Sequence, residues 1–334
     1  MSTVQSNIEN VIKVLFIWKP EDRLKNYLQA GLSNLTNIEL IFPDEIEEEK
    51  LLKLCSDVQI IVGWRPTRKL LEKAVKLKIF INPGAGVQHL VSLFKEITRT
   101  RNITLINGHS NAYFTAQHGV ALLLSLTNKL IPHHIWMKEG KWRLGDEEAK
   151  SIPLKYRKIG FLGYGHVNRQ IYEMVKGFTE NFQFLRNNYS GTHELHEFLK
   201  QIDILICAVP FTTKTRNLLK MEELTLLGES GILINLSRGE IINEKDLYEA
   251  LENKLIESAA IDVWYDYHPI PDEDNRKYPF HFPFHELDNI VLSPHRAASP
   301  FDDLMRWDEV IENISRFAEG DDKFLNTVDL EKEY

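Results

Sequence analysis

Cysteine is nearly absent from this chain of 334 residues, occurring only at Cys55 and Cys207. Two thiols far apart, each in an apolar segment, exclude a disulfide scaffold and lead us to expect buried free thiols of a reducing compartment. Excess basic charge is lacking too. With 40 Lys and Arg against 48 Asp and Glu the net charge is −8, which leaves no basic stripe to displace counterions from a nucleic acid. No apolar run approaches the ~20 residues of a membrane-spanning helix, and the first residues carry no signal-peptide pattern. A cytoplasmic protein with neither a nucleic-acid nor a membrane partner is therefore expected. Internal repeats and low-complexity segments are missing as well. What is present suffices for ordinary cores: 43% hydrophobic residues, over a length that suggests two domains.

The first third alternates apolar runs with helical periodicities. Strands are expected at 11–18, 38–42, 58–62, 79–82 and 103–107, with helices at 21–31, 45–54 and 70–77. This rhythm predicts a parallel sheet flanked by helices. Its fourth strand runs into Asn82-Pro83-Gly84-Ala85-Gly86, a glycine turn that enters a helix. Ligands gather outside the carboxyl ends of such strands, so the turn should face a cleft. A long, mostly apolar helix over 114–131 is expected to cross between two lobes. The following segment, His133 to Lys150 with Trp136 and Trp142, reads as an irregular arm. Burial of its tryptophans in a partner subunit predicts a homodimer, with packing on the chain's own core as the alternative.

The stretch from Lys158 to Asn168 organises the rest. Ile159 to Leu162 is an apolar run suited to a buried strand, Gly163 and Gly165 follow, and Arg169 to Lys176 has helical spacing. Together they would set backbone N–H groups and a helix N-terminus around a pyrophosphate. Two glycines in a tight turn are a weak signal alone; the strand-to-helix context and a second βα unit strengthen it. Asn168 stands where the third glycine of the usual fingerprint belongs, which predicts looser helix–strand packing. Strands at 182–185, 204–208, 231–235 and 259–263 continue the sheet, and 308–317 is a last helix. The expected fold is α/β with two Rossmann-like doubly wound parallel sheets. One is a flavodoxin-like substrate domain of residues 1–111 completed by 301–334, the other a dinucleotide-binding domain of residues 112–300.

Five motifs occur in order between residues 80 and 300: Pro83-Gly84-Ala85-Gly86-Val87, Gly163-Tyr164-Gly165, Asn235-Leu236-Ser237-Arg238-Gly239-Glu240, Asp262-Val263-Trp264 and Ser293-Pro294-His295. Through them the chain resembles the D-isomer-specific 2-hydroxyacid dehydrogenases, a family that includes formate and phosphite dehydrogenases. The first 80 residues match only in their βα rhythm. The resemblance implies hydride transfer between a nicotinamide cofactor and a small 2-keto or 2-hydroxy acid. Arg238 would grip the substrate carboxylate bidentately, a surface ion pair being the plain alternative. His295 would exchange a proton with the substrate oxygen. Ala85 and Gly86 would offer backbone N–H groups to the carboxylate. Asn111 resembles a substrate-binding asparagine of the formate branch. Arg65, ending a strand, either points into the cleft or is solvated. Cofactor contacts are expected from Gly163, Gly165, His166 and Val167 at the first turn. Val209, Pro210, Ser237 and Asp262 would add others at later strand ends.

The pattern is broken in three places. The family's glutamate, which pairs with the histidine, is missing. Counted from Asp262, its place falls on Tyr267, with Asp266 and His268 beside it. Either Asp266 supplies the carboxylate or His295 works without one and is less basic. Gln117, likewise, stands where the wider family usually has a glutamate. At the end of 182–185, the acidic residue that would bind the ribose of NAD gives way to Arg186, followed by Asn187 and Ser190. Arginine accommodates a 2′-phosphate, so NADP is the expected cofactor and NAD the alternative. His281 and His285 are four apart, but Pro283 between them and the lack of a completing ligand argue against a metal. A nucleotide-binding sensor or co-regulator on the same fold, with catalysis lost, is the competing reading.

Overall fold

The computed structural model describes residues 11–143, 147, 149–186, 191–298 and 303–334; Asn187 and Ser190 lie outside them. The chain divides into two compact units, Met1–Asn111 with Phe301–Tyr334, and Ala112–Pro300.

In the first unit the strands are short apolar runs, the composition of strands covered on both faces. They are β1 (Ile12–Phe16), β2 (Ile38–Ile41), β3 (Ile60–Val62), β4 (Ile79–Asn82) and β5 (Thr104–Asn107). All pair in parallel, in the flavodoxin-like order β2-β1-β3-β4-β5. Successive side chains alternate between two cores. Leu15, Ile61, Phe80 and Leu105 pack with α2 (Glu48–Leu54), α3 (Arg68–Lys73) and α4 (Gln88–Ile97). Val14, Phe16, Ile60 and Ile79 face the other way, onto α1 (Asp22–Gly31) and the late helix α11 (Asp308–Ala318).

The second unit is a six-stranded parallel sheet in the order β11-β10-β9-β8-β6-β7. Its strands are β6 (Ile159–Leu162), β7 (Phe182–Leu185), β8 (Ile204–Cys207), β9 (Ile232–Asn235), β10 (Ser258–Ile261) and β11 (Ile290–Leu292). The winding reverses between β6 and β8, the point at which doubly wound sheets bind ligands. On one face Phe161, Ile206 and Ile234 pack against α5 (Ala112–Thr127) and α7 (His166–Val175). On the other, Leu162, Leu205 and Leu233 meet α8 (Thr192–Leu199), α9 (Met221–Leu227) and α10 (Glu244–Glu252). Cys55 and Cys207 are buried free thiols, and burial pushes Cys207 up to about 11.

The segment after residue 114 differs from its sequence reading. The long helix stops at Thr127: Lys129 is left-handed (φ 51°), and the chain restarts as α6 (Leu130–Lys138). Pro132 sits in the first turn of α6, where its missing N–H has no intrahelical partner to lose. The supposed irregular arm is therefore helical as far as Lys138. Among the described residues, no helix is long and apolar enough to cross a membrane.

Candidate active site

The turn after β6 is shaped by backbone. Gly163 is left-handed (φ 79°), and a Cβ there would stand 2.9 Å from the Ala208 carbonyl oxygen. Only glycine meets both conditions. Gly165 differs, because a Cβ added to it would meet nothing within 4 Å. No protein neighbour demands glycine there, so the open surface at Gly165 is a cradle that a side chain would fill. No described side chain caps the helix that starts at His166, a helix N-terminus of the kind that receives anions. These features fit a dinucleotide pyrophosphate. Asn168 occupies the place of the fingerprint's third glycine. It is fully buried and donates to the carbonyls of Leu162 (3.2 Å), Gly163 (2.6 Å) and Ile206 (3.3 Å), tying β6 to β8 at the reversal.

The neighbouring strand ends are linked in series. Gly163 N–H donates to Leu185 O at 2.7 Å, which sets Arg186 beside the turn. Val209 N–H donates to Ser237 Oγ (2.9 Å), Thr215 Oγ1 donates to Pro210 O (2.7 Å), and Ser237 N–H donates to Asn235 Oδ1 (3.0 Å). Asn235 in turn donates to Arg238 O at 3.0 Å, and Arg238 Nη1 to Ser237 O at 2.6 Å, so the Arg238 backbone and guanidinium are both held.

Asp262 follows β10 and is 3% exposed. Its carboxylate accepts from Ser293 Oγ (2.5 Å), Arg296 N–H (2.9 Å) and Ala297 N–H (3.1 Å), which folds 293–297 around it. Trp264 Nε1 adds a bond to Ser293 O at 2.8 Å. His295 tops this loop in the left-handed region (φ 57°). Its Nδ1 lies 3.2 Å from the Asp262 carbonyl oxygen and 3.3 Å from Tyr267 Oη, and that hydroxyl accepts the Trp264 N–H at 3.3 Å. Although His295 is exposed, the atoms around its ring desolvate it and lower its pKa; the Arg238 and Arg296 charges act the same way, while Asp262 opposes them. Desolvation also raises Tyr267, and Arg238 acts on it too, so Arg238, His295 and Tyr267 share one electrostatic neighbourhood. Asp266 is elsewhere engaged: Oδ1 accepts the His268 N–H at 2.8 Å, a local turn. His118 Nε2, 2.8 Å from Ser293 Oγ, completes the support. Reading the sequence missed it, since a lone histidine on an apolar helix carries no signal of its partner 175 residues on.

His281 and His285 have separate partners. Nδ1 of His281 meets Glu244 at 2.8 Å, whereas His285 stacks on Tyr278 with ring centroids 4.1 Å apart.

In the first unit the turn after β4 is held by side chains. Asn82 Nδ2 donates to Gly84 O (2.5 Å) and Gly86 O (3.3 Å), and Asn107 Nδ2 to Ala85 O (2.7 Å). Three successive carbonyls are thereby taken up, and no described hydrogen bond uses the N–H of Ala85 or Gly86. Those two amides precede the uncapped N-terminus of α4, an arrangement that receives anions. Arg65 is exposed near the end of β3, and Asn111 is half-buried.

A sequence model of the D-isomer specific 2-hydroxyacid dehydrogenase NAD binding domain matches residues 120–297, more than half of the chain. This chain belongs to that family. It is an oxidoreductase of nicotinamide-dinucleotide type, on the two-sheet fold already described. Glyoxylate reductase of Pyrococcus furiosus is 30% identical over 298 residues, covering 83% of this chain and 84% of that protein. D-3-phosphoglycerate dehydrogenase of Methanocaldococcus jannaschii is 28% identical over 268 residues, 76% of this chain but 48% of the relative, so the chain spans about half of that length. Among solved structures, a D-isomer specific 2-hydroxyacid dehydrogenase of Xanthobacter autotrophicus Py2, in complex with NADPH and MES, superposes with a TM-score of 0.76. It has 21% identity and covers 97% of this chain and 100% of that one.

Proposed function

We propose that this chain reduces a small 2-keto acid to the 2-hydroxy acid with NADPH as the preferred reductant, His295 serving as proton donor and Arg238 as carboxylate anchor. The observation that carries this reading is the shared neighbourhood of His295, Arg238 and Tyr267, at strand ends of the sheet that bears the Gly163–Gly165 cradle. The unit containing that cradle is read as the dinucleotide domain and the other as the substrate domain.

Bound nicotinamide supplies the hydride. Gly163, Gly165 and the helix start at His166 and Val167 would hold the pyrophosphate, with Val209, Pro210 and Ser237 lining the remainder. Arg186 would take the 2′-phosphate, with Asn187, outside the described residues, as a proposed neighbour. Asp262, expected as a direct cofactor contact, accepts three donors from the 293–297 loop and would position His295, with Oδ2 keeping acceptor capacity for the cofactor. With Nδ1–H donated to the Asp262 carbonyl, Nε2 is the nitrogen left to carry the exchanged proton. In reduction the imidazolium gives that proton to the oxygen on which negative charge develops. The Arg238 fork, the Ala85 and Gly86 amides, Asn111 and Arg65 are the proposed substrate contacts. Tyr267 replaces the family's carboxylate with a neutral phenol, so His295 should be less basic than in glutamate-bearing relatives. Asp266 has no place in this dyad.

Exposed Leu130, Ile131, Ile135, Met137 and Trp142 support a homodimer through α5 and α6. Sedimentation at a monomer mass at micromolar concentration would remove that part. The free thiols fit a cytoplasmic setting.

The deciding assay is NADPH oxidation with a panel of 2-keto acids that includes glyoxylate and hydroxypyruvate. Turnover of at least one is expected, faster with NADPH than with NADH. Tight NADPH binding without turnover of any would favour the sensor reading.

A further inference from the structure

We infer that Arg169, in the first turn of α7 and against the ring of Tyr164, joins Arg186 in gripping the 2′-phosphate of NADPH. The inference rests on the NADP reading and adds a residue that the sequence motifs do not mark.

Sheet register places the first member of the pair. Leu162 is paired with Leu185, so Arg186 leaves β7 alongside Gly163 and Tyr164. Side chains alternate along a strand, so Phe182, Phe184 and Arg186 share a face. That face is the one under α7, because Tyr172 meets Phe182 at 5.0 Å and Phe184 at 5.6 Å, and Tyr164 meets Phe184 at 4.5 Å.

Arg169 approaches the same ring from the helix. Its Nε donates to the Tyr164 carbonyl at 3.1 Å, and its guanidinium carbon lies 5.7 Å from the Tyr164 ring centroid. Anchored through Nε, the planar group has both Nη atoms left to present as a fork, the geometry that suits a phosphate. Both arginine charges act on the Tyr164 hydroxyl, against the burial that raises its pKa. Among the described ion pairs neither guanidinium has a carboxylate partner, and the helix's own Glu173 is taken by Lys176 at 2.6 Å. Two exposed cations, Arg169 against the ring and Arg186 at the strand end beside it, stand where the ribose-binding carboxylate is missing, and together they match a phosphate monoester dianion. A bare ribose hydroxyl would need neither.

The test is calorimetric affinity of the full chain for NADPH and NADH, and for the fragments 2′,5′-ADP and 5′-AMP, none of which depends on turnover. The unmodified protein should prefer NADPH and 2′,5′-ADP. Arg169→Gln should cut both preferences by about tenfold or more, the effect of one lost charge-assisted contact, while NADH and 5′-AMP stay within about twofold. Arg169→Lys should retain part of the preference. If Arg169→Gln leaves the ratios intact, or weakens all four ligands alike, the inference fails. Should Arg186→Gln then still collapse the ratios, the NADP reading survives it; an unmodified protein with no preference sinks both.

Discussion

The two glycine turns, Gly84–Gly86 after β4 and Gly163–Gly165 after β6, set unpaired N–H groups before a helix by different means. At the first, side chains do it: Asn82 and Asn107 take up the carbonyls of all three turn residues, and none of them has a positive φ. At the second, backbone conformation joins in: Gly163 is left-handed against the Ala208 carbonyl, and the Asn168 side chain ties the strand ends beneath. A turn held by side chains can be weakened by degrees, whereas the left-handed residue at Gly163 adds a condition that only glycine meets without strain.

The largest expected effect falls on the proton. His295→Gln should lower kcat by ~10²–10⁴-fold with little change in NADPH affinity, as loss of a general acid does. Comparable loss of NADPH affinity would mean that His295 serves the cofactor instead. Arg238→Lys should reduce kcat/KM by roughly tenfold to a hundredfold, since a point charge cannot reproduce a fork. Next come the glycines. Gly165→Val should weaken NADPH and NADH alike by at least about tenfold at an unchanged melting temperature, since the new side chain fills only the cradle. Gly163→Ala should also cost about 1–3 kcal/mol of stability, measurable by urea unfolding, because its backbone is strained and crowded. Equal stability losses for the two would erase the distinction. The smallest effect belongs to the side-chain-held turn. Asn107→Ala should raise KM for the keto acid roughly two- to tenfold, the worth of one neutral hydrogen bond, with NADPH affinity untouched.

Much of this fold could be read because parallel strands buried on both faces announce themselves as unbroken apolar runs; Ile60–Val62 and Ile79–Asn82 are examples. The helix after Ala112 was harder. Its apolar pattern continues past Thr127, and the left-handed turn at Lys129 uses a residue with no turn signature. Pro132 sits in the first turn of the restarted helix, where it breaks nothing. At the site, counting from Asp262 led to Tyr267, but whether it or Asp266 would face His295 depended on a loop that composition does not specify. Asp262 shows the limit most clearly. A carboxylate after a strand reads as a ligand contact, and only the fold reveals the three donors from 293–297 that it also accepts.

The central claim is that His295 donates its proton without a paired carboxylate. Desolvation and the nearby arginines lower its pKa, with Asp262 opposing. The donor is the imidazolium, which is lost as pH rises through that pKa, so a lowered value brings the loss to lower pH. The pH profile of kcat/KM for keto-acid reduction should therefore fall with a midpoint below the ordinary histidine value of ~6.5. Tyr267→Glu, by supplying the carboxylate, should move the midpoint up by about one unit, and Asp266→Asn should not move it. A profile flat through about pH 8, or one lowered by Asp266→Asn and indifferent to Tyr267→Glu, would contradict the account.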